Sequence, residues 1–337
     1  MLVCVFEGKE QWVVKEVDPP DLGEDEVLIQ VKAAGICGTD IHILRAEYFQ
    51  DFPIIAGHEF SGQVVEVGRK VSQFKVGDRV TADPNIFCDR CYFCKINKNN
   101  HCLNAQAVGV TRSGAFAELV AVPEKCIFPI PENLTFAEAA LAEPLACVVY
   151  GAKRSGIQPG EKVLIFGAGP IGLLLLALYK VYGASQIVVV DVSEKKLAKA
   201  KEWGADLVVL ADGTEDKLIR EISPLGFELV VDATGIPRVQ ENELQFIQPD
   251  GTYLLFGVAP VGSQMTIDPY FIFRNDVRIL GSYAVKKTMQ YAINLLTQGK
   301  IPVKELVSAS YPLPQFGQAL QEVLHNPDRL KIQIHFA

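Results

Sequence analysis

The chain has 337 residues, a formal net charge of −8, 49% hydrophobic residues and 21% charged ones. That length exceeds what a single hydrophobic core usually serves, so two domains are expected. The acidic balance argues against nucleic-acid binding. The start carries no basic segment leading into an apolar one, and the longest apolar run, 171–178, is far too short to span a bilayer. A cytoplasmic protein without membrane or nucleic-acid partners is expected, and in a reducing compartment its eight cysteines point to metal before disulfides.

Residues 1–145 read as short strands separated by turns. The run 27–33 alternates, 63–67 is closed by Gly68 and 78–82 is preceded by Gly77, which is the spacing of a small β-barrel. GICGTDIH at 35–42 and AGHE at 56–59 bring a thiol (Cys37), an imidazole (His58) and a carboxylate (Glu59) into one candidate site. Zinc accepts all three donor types, and a catalytic zinc keeps one position open. Taken alone, the same residues also read as an inert core cysteine and a satisfied core histidine, the commoner case. Cys88, Cys91, Cys94 and Cys102 follow CxxCxxCx7C spacing in a polar loop. Four thiolates so close suit a zinc with every position filled by protein, a structural site. Cys4, Cys126 and Cys147 have no such neighbours and read as packing residues.

From about residue 159 the rhythm changes. Strand-like runs at 163–166, 187–190, 207–210, 229–231, 253–256 and 277–280 alternate with helical segments such as 193–203, the pattern of a doubly wound parallel sheet. GAGPIG at 167–172 lies between a strand and a helix, and the next strand ends in Asp191. Gly167 allows the tight turn, Gly169 lets backbone approach a pyrophosphate, Pro170 and Ile171 open the helix, and Gly172 lets helix and strand pack closely. Asp191 is placed to accept from the adenosine ribose, and no arginine follows it at once, which favours NAD over NADP. Thr234, Gly257 and Val258 stand at later strand ends, where they suit the nicotinamide half or ordinary turns. Past residue 284 a helix at 288–297 and proline-interrupted segments suggest a return to the first domain. The expected domains are thus 1–145 with 284–337, and 146–283.

GICGTDIH, GHE, the four-cysteine lobe, Glu143-Pro144-Leu145-Ala146 and GAGPIG stand in the order found in the zinc-dependent medium-chain alcohol dehydrogenases. The chain resembles that family over essentially its whole length. With Glu59 and Glu143-Pro144 it is similar to the polyol branch (sorbitol, arabitol and threonine dehydrogenases). The resemblance implies an α/β protein with a GroES-like β-barrel catalytic domain, a Rossmann domain and a cleft between them. It further implies two zinc ions per subunit, NAD, and a homodimer or homotetramer paired through sheet edges near 277–283.

On this likeness the catalytic zinc is held by Cys37, His58 and a glutamate, with Glu59 and Glu143 sharing the site. A bound alcohol loses its proton there and gives hydride to the nicotinamide. Thr39 takes the proton, which passes through the cofactor ribose to His42 and so to solvent. Tyr48, Phe49, Phe52, Arg112 and Phe116 near the expected cleft suit a small polar alcohol or ketone, and residues of the same types also line unrelated cores and surfaces. Two departures leave the substrate open: Tyr283-Ala284-Val285-Lys286-Lys287 stands where sorbitol and threonine dehydrogenases carry their own distinct sequences. A third, Asn97 in place of the usual glycine, keeps access to a left-handed backbone. The other class of function is a non-catalytic protein that keeps fold and cofactor, whose signature would be a lost zinc ligand.

Overall fold

The computed structural model describes residues 1–47 and 51–337. The chain forms two compact units, one of 1–146, 285–299 and 303–337, the other of 147–284 and 300–302.

The first unit is organised around the strand Glu26–Ile36. Alternation marks only 27–33, but the strand runs 11 residues because partners line both of its edges. Glu59–Val67 pairs antiparallel along one edge. On the other, Leu119–Pro123 pairs with its first half and Lys331–His335 with its last residues. Ile127–Pro129 and Arg79–Ala82 extend the sheet beyond Glu59–Val67, and Val307–Pro312 extends it beyond Lys331–His335. Leu2–Gly8, Gln11–Glu16 and Ile54–Ile55 make a second, three-stranded sheet. The core between them holds Phe6, Phe60, Phe116 and Phe316 among aliphatic side chains. Full burial of each such ring contributes about 1.5–3 kcal/mol.

The second unit holds six parallel strands in the order Leu207–Leu210, Gln186–Asp191, Lys162–Phe166, Phe227–Asp232, Ile247–Leu255, Arg278–Gly281. Numbered by sequence this is 3-2-1-4-5-6, so the winding direction reverses between the strands ending at Phe166 and Asp232. Ligands of such sheets bind at that reversal. One strand departs from its sequence pattern. The run at 253–256 is the end of a longer strand, Ile247–Leu255, which takes in Gln248-Pro249-Asp250-Gly251 as an irregularity of register, with Asp250 at φ 60°. The helix expected at 193–203 is Glu194–Glu202, capped by the Ser193 hydroxyl. No helix among the described residues is long and apolar enough to cross a membrane.

Candidate active site

Cys37 follows the central strand directly and caps the helix Gly38–Leu44. The fully buried Asp40 ties two loops together, its Oδ2 accepting from Cys37 N at 2.8 Å and its Oδ1 from Gly57 N at 3.3 Å. The same Oδ1 lies 3.3 Å from His58 Nδ1, yet that nitrogen makes no aligned hydrogen bond among the described residues. Asp40 therefore occupies the Nδ1 side of the ring and leaves Nε2 for a metal. Donor atoms of Cys37, His58 and Glu59 lie within 4.8 Å of one another. Burial alone would lower the His58 pKa, but the Asp40 carboxylate and the Cys37 thiol raise it well above the usual value. The thiol, imidazole and carboxylate set, with its donor atoms so close together, fits zinc.

Glu59 lies opposite Gly35 across the strand pair, and a Cβ on Gly35 would sit 2.2 Å from Glu59 Oε2. Only glycine leaves room for the carboxylate. From the other side comes Lys331, whose Nζ donates to Glu59 Oε1 at 2.8 Å and Oε2 at 2.7 Å, with Ile36 O at 3.4 Å. Burial would strip this lysine of its proton, but Glu59, Cys37 and Glu143 outweigh it and raise its pKa. Lys331 and Asp40 were not singled out from the sequence. Asp40 had a local signal, standing three residues after a helix-capping position, whereas Lys331 had none.

Glu143 is buried in the first turn of the helix Ala142–Ser155, outside the three-donor set but close enough to act on Lys331. Thr39 and His42 are three residues apart on the helix Gly38–Leu44 and so share a face. His42 Nδ1 lies 2.8 Å from Glu47 Oε2. Tyr48 and Phe49 lie outside the described residues. Phe116 does not line a site: it is fully buried in the core, 5.2 Å from the Phe316 ring between centroids. Arg112 is taken by Glu26, at 2.7 Å, and Phe52 packs against the core.

The sulfurs of Cys88, Cys91, Cys94 and Cys102 also fall within 4.8 Å of one another, Cys88 and Cys102 being 3.4 Å apart and Cys91 and Cys102 3.9 Å. Tetrahedral zinc with bonds of about 2.3 Å spaces its sulfurs by about 3.8 Å, so the cluster fits that ion. All eight cysteines are free thiols. The backbone N–H of Arg90 and the Asn104 amide pull the Cys88 thiol down to about 6, toward the thiolate that binds metal. Asn97 takes φ 57°, the left-handed conformation the loop needs.

In the second unit Gly167 has φ 100°, and a Cβ on Gly172 would lie 1.7 Å from Gly167 O. A Cβ on Gly169 would meet nothing within 4 Å, so the space before the helix Pro170–Val181 is open. That helix starts with proline and has no side-chain cap, leaving its first N–H groups for an anion. Asp191 Oδ2 accepts from Ala168 N at 2.7 Å and Oδ1 from Ser193 N at 2.8 Å. The acid thus shapes the glycine turn while keeping lone pairs for a ribose. Asp232 organises the facing turn, its Oδ1 accepting from Thr234 N and Oγ1 at 2.8 and 2.6 Å. Gly257 packs against that turn and Val258 is exposed. These features fit a dinucleotide.

Comparison with known proteins agrees. Residues 23–132 match the alcohol dehydrogenase GroES-like domain and residues 170–298 the zinc-binding dehydrogenase domain. D-arabinitol dehydrogenase 1 of Uromyces fabae is 34% identical, over 96% of this chain and 94% of its own. D-altritol 5-dehydrogenase of Agrobacterium fabrum is 36% identical, over 97% of each. A solved structure described as a zinc-binding dehydrogenase, from Sinorhizobium meliloti 1021 and bound to NADP, superposes with a TM-score of 0.95 at 32% identity, over 99% of each chain. The chain is an oxidoreductase of the zinc-binding alcohol dehydrogenase family, built from a GroES-like domain and a Rossmann domain.

Proposed function

We propose that the protein oxidises a secondary hydroxyl of a small polyol with NAD, and reduces the matching ketone in reverse. The observation that carries this reading is the Cys37, His58 and Glu59 donor set within 4.8 Å, supported by relatives that act on arabinitol and altritol. Zinc held by these residues supplies a Lewis acid, and the nicotinamide supplies the hydride acceptor. Lys331 balances the negative charge that Glu59, Glu143 and Cys37 crowd into the pocket. Glu143 fits the water- or substrate-holding role beside Glu59. Thr39 Oγ1 takes the hydroxyl proton, and His42 is its exit to solvent. Cys88, Cys91, Cys94 and Cys102 hold the second zinc.

Gly167, Gly169 and Gly172 with Pro170 and Ile171 cradle the pyrophosphate, and Thr234, Gly257 and Val258 face the nicotinamide half. NAD is favoured over the NADP bound by the Sinorhizobium relative because the carboxylate of Asp191 would repel a 2′-phosphate. The exposed Tyr270, Phe273 and Tyr283 flank the edge strand Arg278–Gly281 and support assembly with a second copy along that edge. The non-catalytic alternative is disfavoured because every donor is kept. A panel of polyols, sugar phosphates and threonine, each assayed with NAD and NADP, tests the proposal. Turnover of a polyol with NAD is expected, and inactivity of the zinc-loaded protein on the whole panel would overturn it.

A further inference from the structure

The contact between His42 and Glu47 is produced by how the helix Gly38–Leu44 ends. Ala46 N donates to Ile43 O at 2.9 Å and Glu47 N to His42 O at 2.8 Å, with Ala46 in the left-handed conformation at φ 55°. This is the Schellman closure, which ordinarily calls for glycine at the left-handed position. Here an alanine holds it, and the closed turn carries Glu47 back over the histidine whose carbonyl it caps. Side-chain Oε2 then meets His42 Nδ1 at 2.8 Å. Backbone and side chain of one residue are both fastened to His42.

A carboxylate only accepts hydrogen bonds, so the nitrogen facing it must carry the proton. We propose that Glu47 is a positioning residue for proton exit, fixing His42 in the Nδ1–H tautomer with Nε2 left as the basic atom. The inference rests on the reading of His42 as the end of the proton relay. The proton released from the alcohol hydroxyl arrives at His42 Nε2, giving an imidazolium whose Nδ1–H stays on Glu47. Nε2 then gives that proton to water, and the starting tautomer returns with no rotation of the ring. Without Glu47 the ring is free to present Nε2–H, which cannot accept.

The pair is partly exposed, with side-chain exposures of 27% and 42%, and exposed pairs add little to stability. Its effect is therefore on direction, and that separates it from a structural role. Glu47→Ala should leave the melting temperature and KM near wild type. It should lower kcat about tenfold, less than the roughly hundredfold or more that a lost general base costs, and Glu47→Asp should restore part of it.

The direct test is ¹⁵N NMR of histidine-labelled, zinc-loaded protein, with His42 assigned by its absence in His42→Gln. The proposal expects the Nδ1–H pattern in the wild type and a mixture or Nε2–H in Glu47→Ala. An Nε2–H wild type, a spectrum unchanged in Glu47→Ala, or an altered spectrum with wild-type kcat would each overturn it. Full activity in His42→Gln would instead remove the relay reading, while the spectra still report whether Glu47 sets the tautomer.

Discussion

Glu59 and Lys331 lie 272 residues apart in the chain and 2.7 Å apart in the fold, both buried. A buried carboxylate deprived of its cation costs about 3–5 kcal/mol. Lys331→Met is therefore expected to lower the melting temperature and to loosen zinc at Cys37 and His58. Adding Glu59→Gln should recover part of the stability but none of the activity. Zinc content and thermal melts of the single and double variants check this, and a Lys331→Met protein that melts like the wild type would show that the pair carries no such strain.

The two zinc sites should separate on mutation. Cys91→Ser opens a closed four-thiolate site, so stability should fall and activity follow as a consequence. Cys37→Ser should abolish turnover yet leave a folded protein that binds NADH. Metal analysis, melting and NADH fluorescence distinguish them, and the opposite outcome would reverse the assigned roles.

Asp191→Ala removes the proposed ribose acceptor. Charge-assisted hydrogen bonds are worth about 1.5–3 kcal/mol, or roughly ten- to a hundredfold in kcat/KM for NAD. The gap to NADP should narrow. Because Asp191 also holds Ala168 N and Ser193 N, some loss with both cofactors is expected as well. Steady-state kinetics with each cofactor decide it, since unchanged discrimination would mean that cofactor choice is read elsewhere.

Glu243 supplies a pH dependence. It is fully buried, and burial followed by the nearby Asp232 pushes its carboxyl up to about 9, partly offset by the hydrogen bond from Tyr253 at 2.7 Å. Its folded pKa is above the unfolded value of about 4.3. The group's contribution to stability is thus complete below that value and is lost as pH rises toward about 9. Glu243→Gln should remove this loss, so the stability difference between variant and wild type should grow in the variant's favour from pH 5 to 9. Urea unfolding across that range measures it, and a difference that does not change with pH would mean Glu243 is ionised in the fold.

What could be read in the sequence was what is local. The glycine turn and the four-cysteine lobe each lie within 15 residues, and spacing alone carries their chemistry. Cys37 and His58 needed a second motif for support, because a lone thiol and imidazole are common in cores. Lys331 was invisible: it lies past the helix at 288–297, where the sequence shows only a return to the first domain, and its meaning depends on which strand lies beside it. Phe116 reads in the sequence either as a cleft residue or as core, and only its full burial among Phe6 and Phe316 decides for core.

The pairing of Lys331–His335 with Glu26–Ile36 has a consequence for the order of synthesis. The second unit's sheet strands are all made before the first unit's central strand receives its last neighbour. Until then the end of that strand keeps an open edge, the kind of surface that invites pairing with other chains. At about 5–20 residues per second, Glu59 waits on the order of tens of seconds for its lysine. A ribosome stalled before residue 331 would leave a finished dinucleotide turn in a chain whose metal pocket still holds an uncompensated acid.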